Sequence, residues 1–301
     1  MHGRSLPMAI SLTQIHDSNQ ILKEMKITER DFYTFCPSAT NPDGGGGVFS
    51  LIRNELSIAS AFMASFLGAD LHTRLTSESD YEDDELLILD VKRYICLAAF
   101  ERAIPHLDFV LTPTGFGVVS NQNYAPASAE RVERLRSQVH RSKDDALDSV
   151  LSRLRGEDAW CESDVAKRYF RSLVWRGAYA RYFGYPNDGR TKIEEISGDI
   201  AAAERDLIHF ISPEFHKELI TAIRTASVSG AQQIAIDFAR SYIYAWYSRR
   251  NHDIITARNA LLSYLDAQIE NFPTYRASAA FRANHFIPYE NAKDDSCYFF
   301  G

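Results

Sequence analysis

The sequence predicts a mainly α-helical fold of two repeated helical-bundle units, with a β-hairpin arm and an extended, β-prone C-terminal tail. The first observation behind this prediction is an internal repeat. Residues 55–75 and 199–219 align at an offset of 144, with four identical residues among 21 positions. The second is a β-prone stretch around a Pro-Gly turn at 108–121, and the third is the aromatic C-terminus at 298–300.

The repeat shows apolar residues at helical intervals and a break at the same place in both copies. In the first copy the break is Gly68, because glycine ends helices by adopting positive φ without strain. In the second copy Ser212 can cap a new helix and Pro213 fits its first turn. A further pairing, of residues 89–100 with 236–247, has an offset of 147 and predicts an insertion in the preceding loop.

Each unit is therefore expected to contain a long helix, a short helix, a loop and a long apolar helix. The predicted organisation is an N-terminal helical unit with the hairpin arm (1–156), an aromatic linker (157–190) and a second helical unit with the extended tail (191–301). A chain of 301 residues suggests about two domains by length alone.

Helix-capping and helix-breaking residues predict the bounds of three helices. The acidic run 77–85 precedes an apolar helix that Pro105 closes, and its charges are expected to cap that helix rather than to bind a metal. A long charged helix covers 127–155, with Ser128 as its N-cap. The last helix, 254–272, is expected to stop at Pro273.

The hairpin is predicted from two β-prone pieces that flank Thr112-Pro113-Thr114-Gly115. An isolated two-stranded hairpin is marginal in water, so this one should lie on the helices or pair with another chain. Its candidate interaction residues are Phe109, Leu111, Pro113, Phe116 and Val118. The C-terminal tail should also pair, and it adds the candidates Tyr298, Phe299 and Phe300.

The aromatic linker is ambiguous in secondary structure. Residues 164–183 suit a helix by periodicity, but the piece FRSLVWRG could be a strand. Its density of aromatic residues indicates a buried junction or a partner surface, and Trp175 and Tyr179 are its candidate interaction residues.

Composition and motifs exclude several classes of protein. A net charge of −7 and a pI near 5.7 argue against a surface that binds nucleic acid throughout. The four cysteines lie far apart without a CxxC pair, so reduced thiols are expected rather than disulfides or a zinc site. Neither a signal peptide nor a membrane span is predicted.

No phosphate loop, GxSxG or HExxH motif is found, so we expect no enzyme, no cofactor and no metal. One alternative is an enzyme whose site gathers dispersed residues: Asp90, Asp237, His72 and His216. The two aspartates are more simply explained by pairing with Arg93 and Arg240, three residues on. The histidines lack a carboxylate at metal-ligand spacing, so a structural or solvated role is favoured.

Three features together resemble a known group of proteins: the repeated AE-rich helix that leads into a short helix, the segment TPTGFGVVSNQNYAPAS at 112–128, and the terminus SCYFFG. They resemble an uncharacterised family common in phages and prophages of Bacteroidetes, whose members look like the head-tail connector (adaptor, neck ring) proteins of tailed phages. The resemblance covers most of the chain, and TPTGFGVVSN is its most specific part.

The resemblance implies a structural virion protein at the capsid vertex, made in the host bacterial cytoplasm. Copies would form a ring of about twelve below the portal, in contact with portal and with tail or neck proteins. DNA would pass through the ring without sequence-specific binding, and no catalytic residue is implied. The main alternative is a helical scaffolding or regulatory protein that binds a partner through the aromatic linker.

Overall fold

Helices make up most of the chain in the computed structural model, which describes residues 25–39, 47–77, 84–107, 109–112, 115–118 and 128–285. The mainly α-helical fold class is thereby confirmed. The first part contains α1 (Glu29–Phe35), α2 (Val48–Leu51), α3 (Arg53–Leu67), α4 (Ala69–Thr76), α5 (Glu85–Leu107), β1 (Phe109–Thr112), β2 (Gly115–Val118) and α6 (Ala129–Leu154).

The second part begins with α7 (Asp158–Cys161), α8 (Asp164–Tyr169) and a 3₁₀ helix (Gly177–Phe183). It continues with α9 (Gly189–Glu195), α10 (Ser197–Ile211), α11 (Pro213–Arg224), α12 (Gly230–Ser248), α13 (Asn251–Ala267), α14 (Pro273–Arg276) and α15 (Ala279–Asn284). Further 3₁₀ turns cover Pro37–Ala39 and Ile269–Asn271. The linker segment 164–183 is thus neither one helix nor a strand, but a short α-helix, an irregular stretch and a 3₁₀ helix.

Both copies of the repeat form the same pair of helices. α3 and α10 each have 15 residues, and their bounds differ by the offset of 144. Each ends at a residue with positive φ, Gly68 at φ 82° and ψ 159°, and Ser212 at φ 80° and ψ 150°. The Ser212 hydroxyl accepts a hydrogen bond from the Phe215 N–H, which is the capping role expected for it.

The third helices, α5 and α12, correspond at an offset of 148, so the predicted offset of 147 is wrong by one residue. Under the predicted offset Leu89, which is 48% exposed, would match the fully buried Ile236. At 148 Tyr94 matches Tyr242, and both are buried. Both also meet equivalent partners, because the Tyr94 ring packs on Phe62 and the Tyr242 hydroxyl donates to Asp206, 144 positions after Phe62.

A fourth helix packs on the third in each copy, but the connections differ. α12 and α13 are joined by two residues, 249 and 250, of which Arg249 is left-handed at φ 56°. α5 and α6 are joined by the segment 108–128, which contains β1 and β2. The pair is also longer in the first copy, with 23 and 26 residues against 19 and 17. The hairpin is therefore an insertion into the repeated unit.

Short helices then return to the first helix of each unit. The Trp160 indole Nε1–H donates to the Phe66 carbonyl oxygen at 2.9 Å. In the second unit the Asn284 side-chain amide donates to the Phe210 carbonyl oxygen at 3.0 Å, at the position related by the offset of 144. Buried apolar residues of both units and of the linker form one continuous cluster, so the two units share a core.

Several predicted bounds are corrected or lie outside the described residues. Pro105 lies inside α5, which ends two residues later, because a proline near a helix end disturbs few hydrogen bonds. The last predicted helix is α13, and Pro273 opens α14 instead. Ser128 caps α6 as predicted. Residues 40–46, most of the acidic run 77–85 and the C-terminal tail lie outside the described residues.

The three described cysteines are free and buried, as expected of reduced thiols: Cys36, Cys96 and Cys161. Burial raises the pKa of all three thiols, that of Cys36 to about 12. Among the described helices, none combines the length and apolar character that a membrane span requires.

Candidate assembly surfaces

The hairpin places its candidate residues on one face of a two-stranded ladder. β1 and β2 are antiparallel, and Phe109 pairs with Val118 and Leu111 with Phe116. Directly opposed residues, and residues two apart along a strand, share a face, so these four lie together. The other face holds Val110 opposite Gly117 and Thr112 opposite Gly115. Pro113, in the turn, lies outside the described residues.

Within the part of the chain that the structure describes, the sheet consists of β1 and β2, so each strand has one edge without a neighbouring strand there. An edge strand presents backbone N–H and C=O groups that lack a partner in the ladder. A strand edge of this kind can accept a further strand.

The N-terminal part of α6, which follows the hairpin, is largely exposed. Between 129 and 138 the helix buries no residue fully, and only Val132 and Leu135 are half-buried. Its charges pair along its own surface, as Arg134 does with Glu130. From Val139 onwards α6 buries apolar residues against the bundle: Val139, Ala146, Leu147, Val150, Leu151 and Leu154. The first turns of α6 are therefore largely accessible to solvent.

The aromatic linker is buried around Trp175, so little of this ring is accessible to a partner. Trp175 is only 4% exposed, and the guanidinium groups of Arg155 and Arg176 lie 5.4 and 5.5 Å from its ring centre. Tyr179 is half-buried under Arg240, whose guanidinium lies 4.4 Å from the ring centre. Of the linker aromatics, Tyr182 is the most accessible, at 51% exposed.

The C-terminal candidates Tyr298, Phe299 and Phe300 lie outside the described residues. Their assignment to intersubunit pairing stays a prediction, as does that of the hairpin residues.

The dispersed residues of the enzyme alternative each have separate neighbours. Asp237 pairs with Arg240 at 3.0 Å, as predicted. Asp90 pairs with Arg153 of α6 instead of Arg93, because Asp90 faces the neighbouring helix. Burial lowers the pKa of His72, which favours the neutral ring. His216 lies 3.7 Å from Glu204. Within the described residues, no recorded contact joins any two of Asp90, Asp237, His72 and His216.

A polar network unrecognised in the sequence links α5, α6 and α9. The two ring nitrogens of His140 each lie 2.6 Å from a partner, Nδ1 from Glu101 and Nε2 from the Thr191 hydroxyl. Lys143 donates to Glu101 at 2.6 Å. Burial would raise the pKa of Glu101, but the hydrogen bonds from Lys143 and His140 outweigh it and hold that pKa below its usual value.

This network has the order hydroxyl, imidazole, carboxylate that activates a nucleophile in hydrolases. However, Asp144 accepts from both the backbone N–H and the hydroxyl of Thr191 at 3.3 Å. The N–H beside the hydroxyl is thus engaged and cannot stabilise an oxyanion. The network therefore fits a structural role, in which hydrogen bonds hold α9 against α6. No group of three or more metal-ligating side chains occurs in the part of the chain that is described.

A buried ion pair also lies at this junction. Arg190 donates to Asp148, and Asp148 accepts the Gly177 N–H at 2.7 Å, so α6, the linker and α9 are joined at one carboxylate. Arg190 and Gly177 lie 42 and 29 residues after Asp148 in the sequence, so no local spacing could have predicted these contacts.

One protein family matches part of the chain: a family of unknown function, DUF6712, matches residues 56–169. The matched region begins in α3, contains the hairpin and ends with α8, so it covers most of the first unit and less than half of the chain. No curated protein and no solved structure matches the chain.

Proposed function

We propose that this chain is a structural virion protein, a head-tail connector subunit that forms a ring below the portal at the capsid vertex. The observation that carries the proposal is the hairpin inserted between α5 and α6, where the second unit has a two-residue turn. The sequence resemblance to phage connector proteins supplies the biological setting, and the chain would be made in the host bacterial cytoplasm.

The hairpin is the element of this chain that most needs further contacts. A two-stranded sheet alone is marginally stable in water, and within the described residues this one has two edges without a neighbouring strand. A neighbouring copy that added a strand, or covered Phe109, Leu111, Phe116 and Val118, would supply such contacts. A contact between different patches of identical subunits repeats by rotation and closes into a ring, here of about twelve copies.

Charge is consistent with a channel for DNA. The chain carries a net charge of −7, and a wall that passes DNA should not bind its phosphates tightly. Portal and tail or neck proteins would contact the two ends of the ring, and DNA would pass without sequence-specific binding.

The alternative, a scaffolding or regulatory protein that binds through the aromatic linker, has less support. Its principal anchor would be Trp175, whose ring is enclosed by its own chain. Binding through the linker would then depend on Tyr182 and its stacked neighbour Tyr244, which is a small surface.

The test compares variants of the two hairpin faces. We expect the wild-type chain, alone or mixed with portal protein, to form large particles with a central hole by light scattering and negative-stain microscopy. Replacing Leu111 and Phe116 by threonine should abolish these particles without changing the helical circular dichroism signal. Val110→Thr, on the other face, is the matched control and should assemble.

Two results would count against the proposal. The first is a monomer that stays monomeric with portal protein. The second is assembly by the Leu111→Thr/Phe116→Thr variant as efficient as that of Val110→Thr. A chain truncated after residue 293 tests the tail separately, because normal rings from it would remove the C-terminus from the assembly contacts.

A further inference from the structure

A cavity of about 630 Å³ lies where the linker meets the second unit. Its walls come from α8, the irregular stretch after it, α9 and the first turn of α10. Three arginines line it, Arg168, Arg171 and Arg190, together with the hydroxyl-bearing residues Ser172 and Ser197. The connector function proposed above assigns no role to this cavity.

The local charge differs in sign from that of the whole chain. Residues 167–190 contain six Lys or Arg residues and one acidic residue, in a protein of net charge −7. Arg168 and Arg171 are exposed, and neither has a hydrogen bond or ion pair recorded within the described ranges. Two guanidinium groups at the rim are therefore free to bind an anion.

The buried side chain of Arg190, in the wall of the cavity, indicates that the cavity binds a ligand. It is 6% exposed, and its Nη2 is engaged by Asp148 and by the Trp175 carbonyl oxygen. Its buried Nε has no hydrogen-bond partner among the described residues. A buried donor of a charged group is costly to leave unpaired, so an acceptor in the cavity would be favoured.

The first turn of α10 adds a second set of donors. α10 has 15 residues, and no side chain caps its N-terminus at Ile196. Ser197 and Gly198 line the cavity, and a Cβ atom placed on Gly198 would meet nothing within 4 Å. The backbone there is open to a ligand, and the partial positive charge of the helix N-terminus favours an anion.

Two carboxylates, of Glu194 and Glu204, also line the cavity. Glu204 is buried and accepts hydrogen bonds from the Ser172 hydroxyl at 3.0 Å and the Leu173 N–H at 2.7 Å. Glu194 is exposed at the rim. Trp175 is only 4% exposed, so its ring offers little surface on which a nucleobase could stack. The cavity therefore suits a compact anion.

We infer that this cavity binds a phosphate group, with Arg168 and Arg171 at the rim, Arg190 in the wall and the first turn of α10 as its donors. The group is either a free small phosphate or a phosphate of a nucleic-acid backbone, since both present the same tetrahedral oxygens. The inference does not depend on the connector function.

The experiment titrates inorganic phosphate and pyrophosphate into the full chain by calorimetry, at constant ionic strength with chloride as the balancing anion. The double variant Arg168→Gln/Arg171→Gln should bind at least about tenfold more weakly, because charge-assisted hydrogen bonds are lost. The matched control, Arg53→Gln/Arg102→Gln, removes the same charge from two exposed arginines elsewhere and should bind as the wild type does.

Absence of binding by the wild-type chain would overturn the inference, as would equal weakening in both double variants. A competition with a short DNA duplex assigns the source of the phosphate. Displacement of bound phosphate by the duplex, lost in Arg168→Gln/Arg171→Gln, supports a backbone phosphate. Retention of phosphate against the duplex supports a free small phosphate.

Discussion

The break between the first two helices of each unit allows a test of the fold, because Gly68 and Ser212 adopt the same backbone conformation in the two units. Gly68 and Ser212 both have φ near 80° with ψ at or above 150°, a region that is essentially restricted to glycine. A Cβ atom added to Gly68 meets nothing within 4 Å. The cost of Gly68→Ala should therefore be backbone strain alone.

That strain is about 1–3 kcal/mol, and the lower entropy of the unfolded alanine chain returns about 0.4–1 kcal/mol. We expect Gly68→Ala to destabilise the chain by about 1–2 kcal/mol. Gly68→Ser should cost about 1 kcal/mol less, because a serine there can cap α4 as Ser212 caps α11. In the second unit the sign reverses: Ser212→Gly relieves the strain, loses only a few tenths of capping energy, and should be neutral to stabilising.

The measurement is the urea midpoint of unfolding, followed by circular dichroism, for the three variants and for Ser212→Ala. Ser212→Ala keeps the strain and loses the cap, so it should be about 1 kcal/mol less stable than wild type. The reasoning would be refuted if Ser212→Gly lowered stability as much as Gly68→Ala does. That outcome would mean that the serine side chain, and not the backbone, determines stability at the break.

Three further predictions concern buried groups. Asp148→Asn should destabilise the chain by about 3–5 kcal/mol because it leaves Arg190 buried without a counter-charge, and Asp148→Asn/Arg190→Met should recover most of the loss in urea unfolding. The pKa of Glu101 is lower in the folded chain than its unfolded value of about 4.5, so Glu101 stabilises the fold above pH 4.5 and this stability is lost as pH falls through the folded pKa. Lys143→Met removes a cause of the lowered pKa, so the thermal midpoint of this variant should fall less steeply below pH 4.5. In a Cys297→Ser chain the three buried thiols should react with Ellman's reagent only after denaturation, and rapid native labelling would contradict their burial.

Sequence reasoning succeeded where local chemistry determines the structure. The breaks at Gly68 and Ser212 and the cap at Ser128 follow from the conformational and hydrogen-bonding properties of single residues. The third helices show the limit of pattern matching. At the wrong offset an Asp and an Arg coincide in both copies, whereas the correct offset is visible only in which side chains are buried, such as Tyr94 and Tyr242.

The candidate sites were harder to predict because they depend on contacts between distant segments. Aromatic density in the linker is equally typical of a core and of a partner surface, and only the fold shows that Trp175 is enclosed. The ion pair of Arg190 with Asp148 has no local signature either. One signal was present and unused: the excess of Lys and Arg in residues 167–190 coincides with the phosphate cavity.

The second unit acts as an internal control for the meaning of the hairpin. Its two-residue turn between α12 and α13 demonstrates that a helix pair of this kind closes without an arm. Lengthening the connection between two helices about tenfold, as the segment 108–128 does, costs about 2 kcal/mol of closure entropy, and a lone hairpin returns little of it. In the isolated chain the insertion therefore weakens the first unit. Contacts with a neighbouring chain would offset that cost, which is why the hairpin, more than any helix face, favours a subunit that assembles.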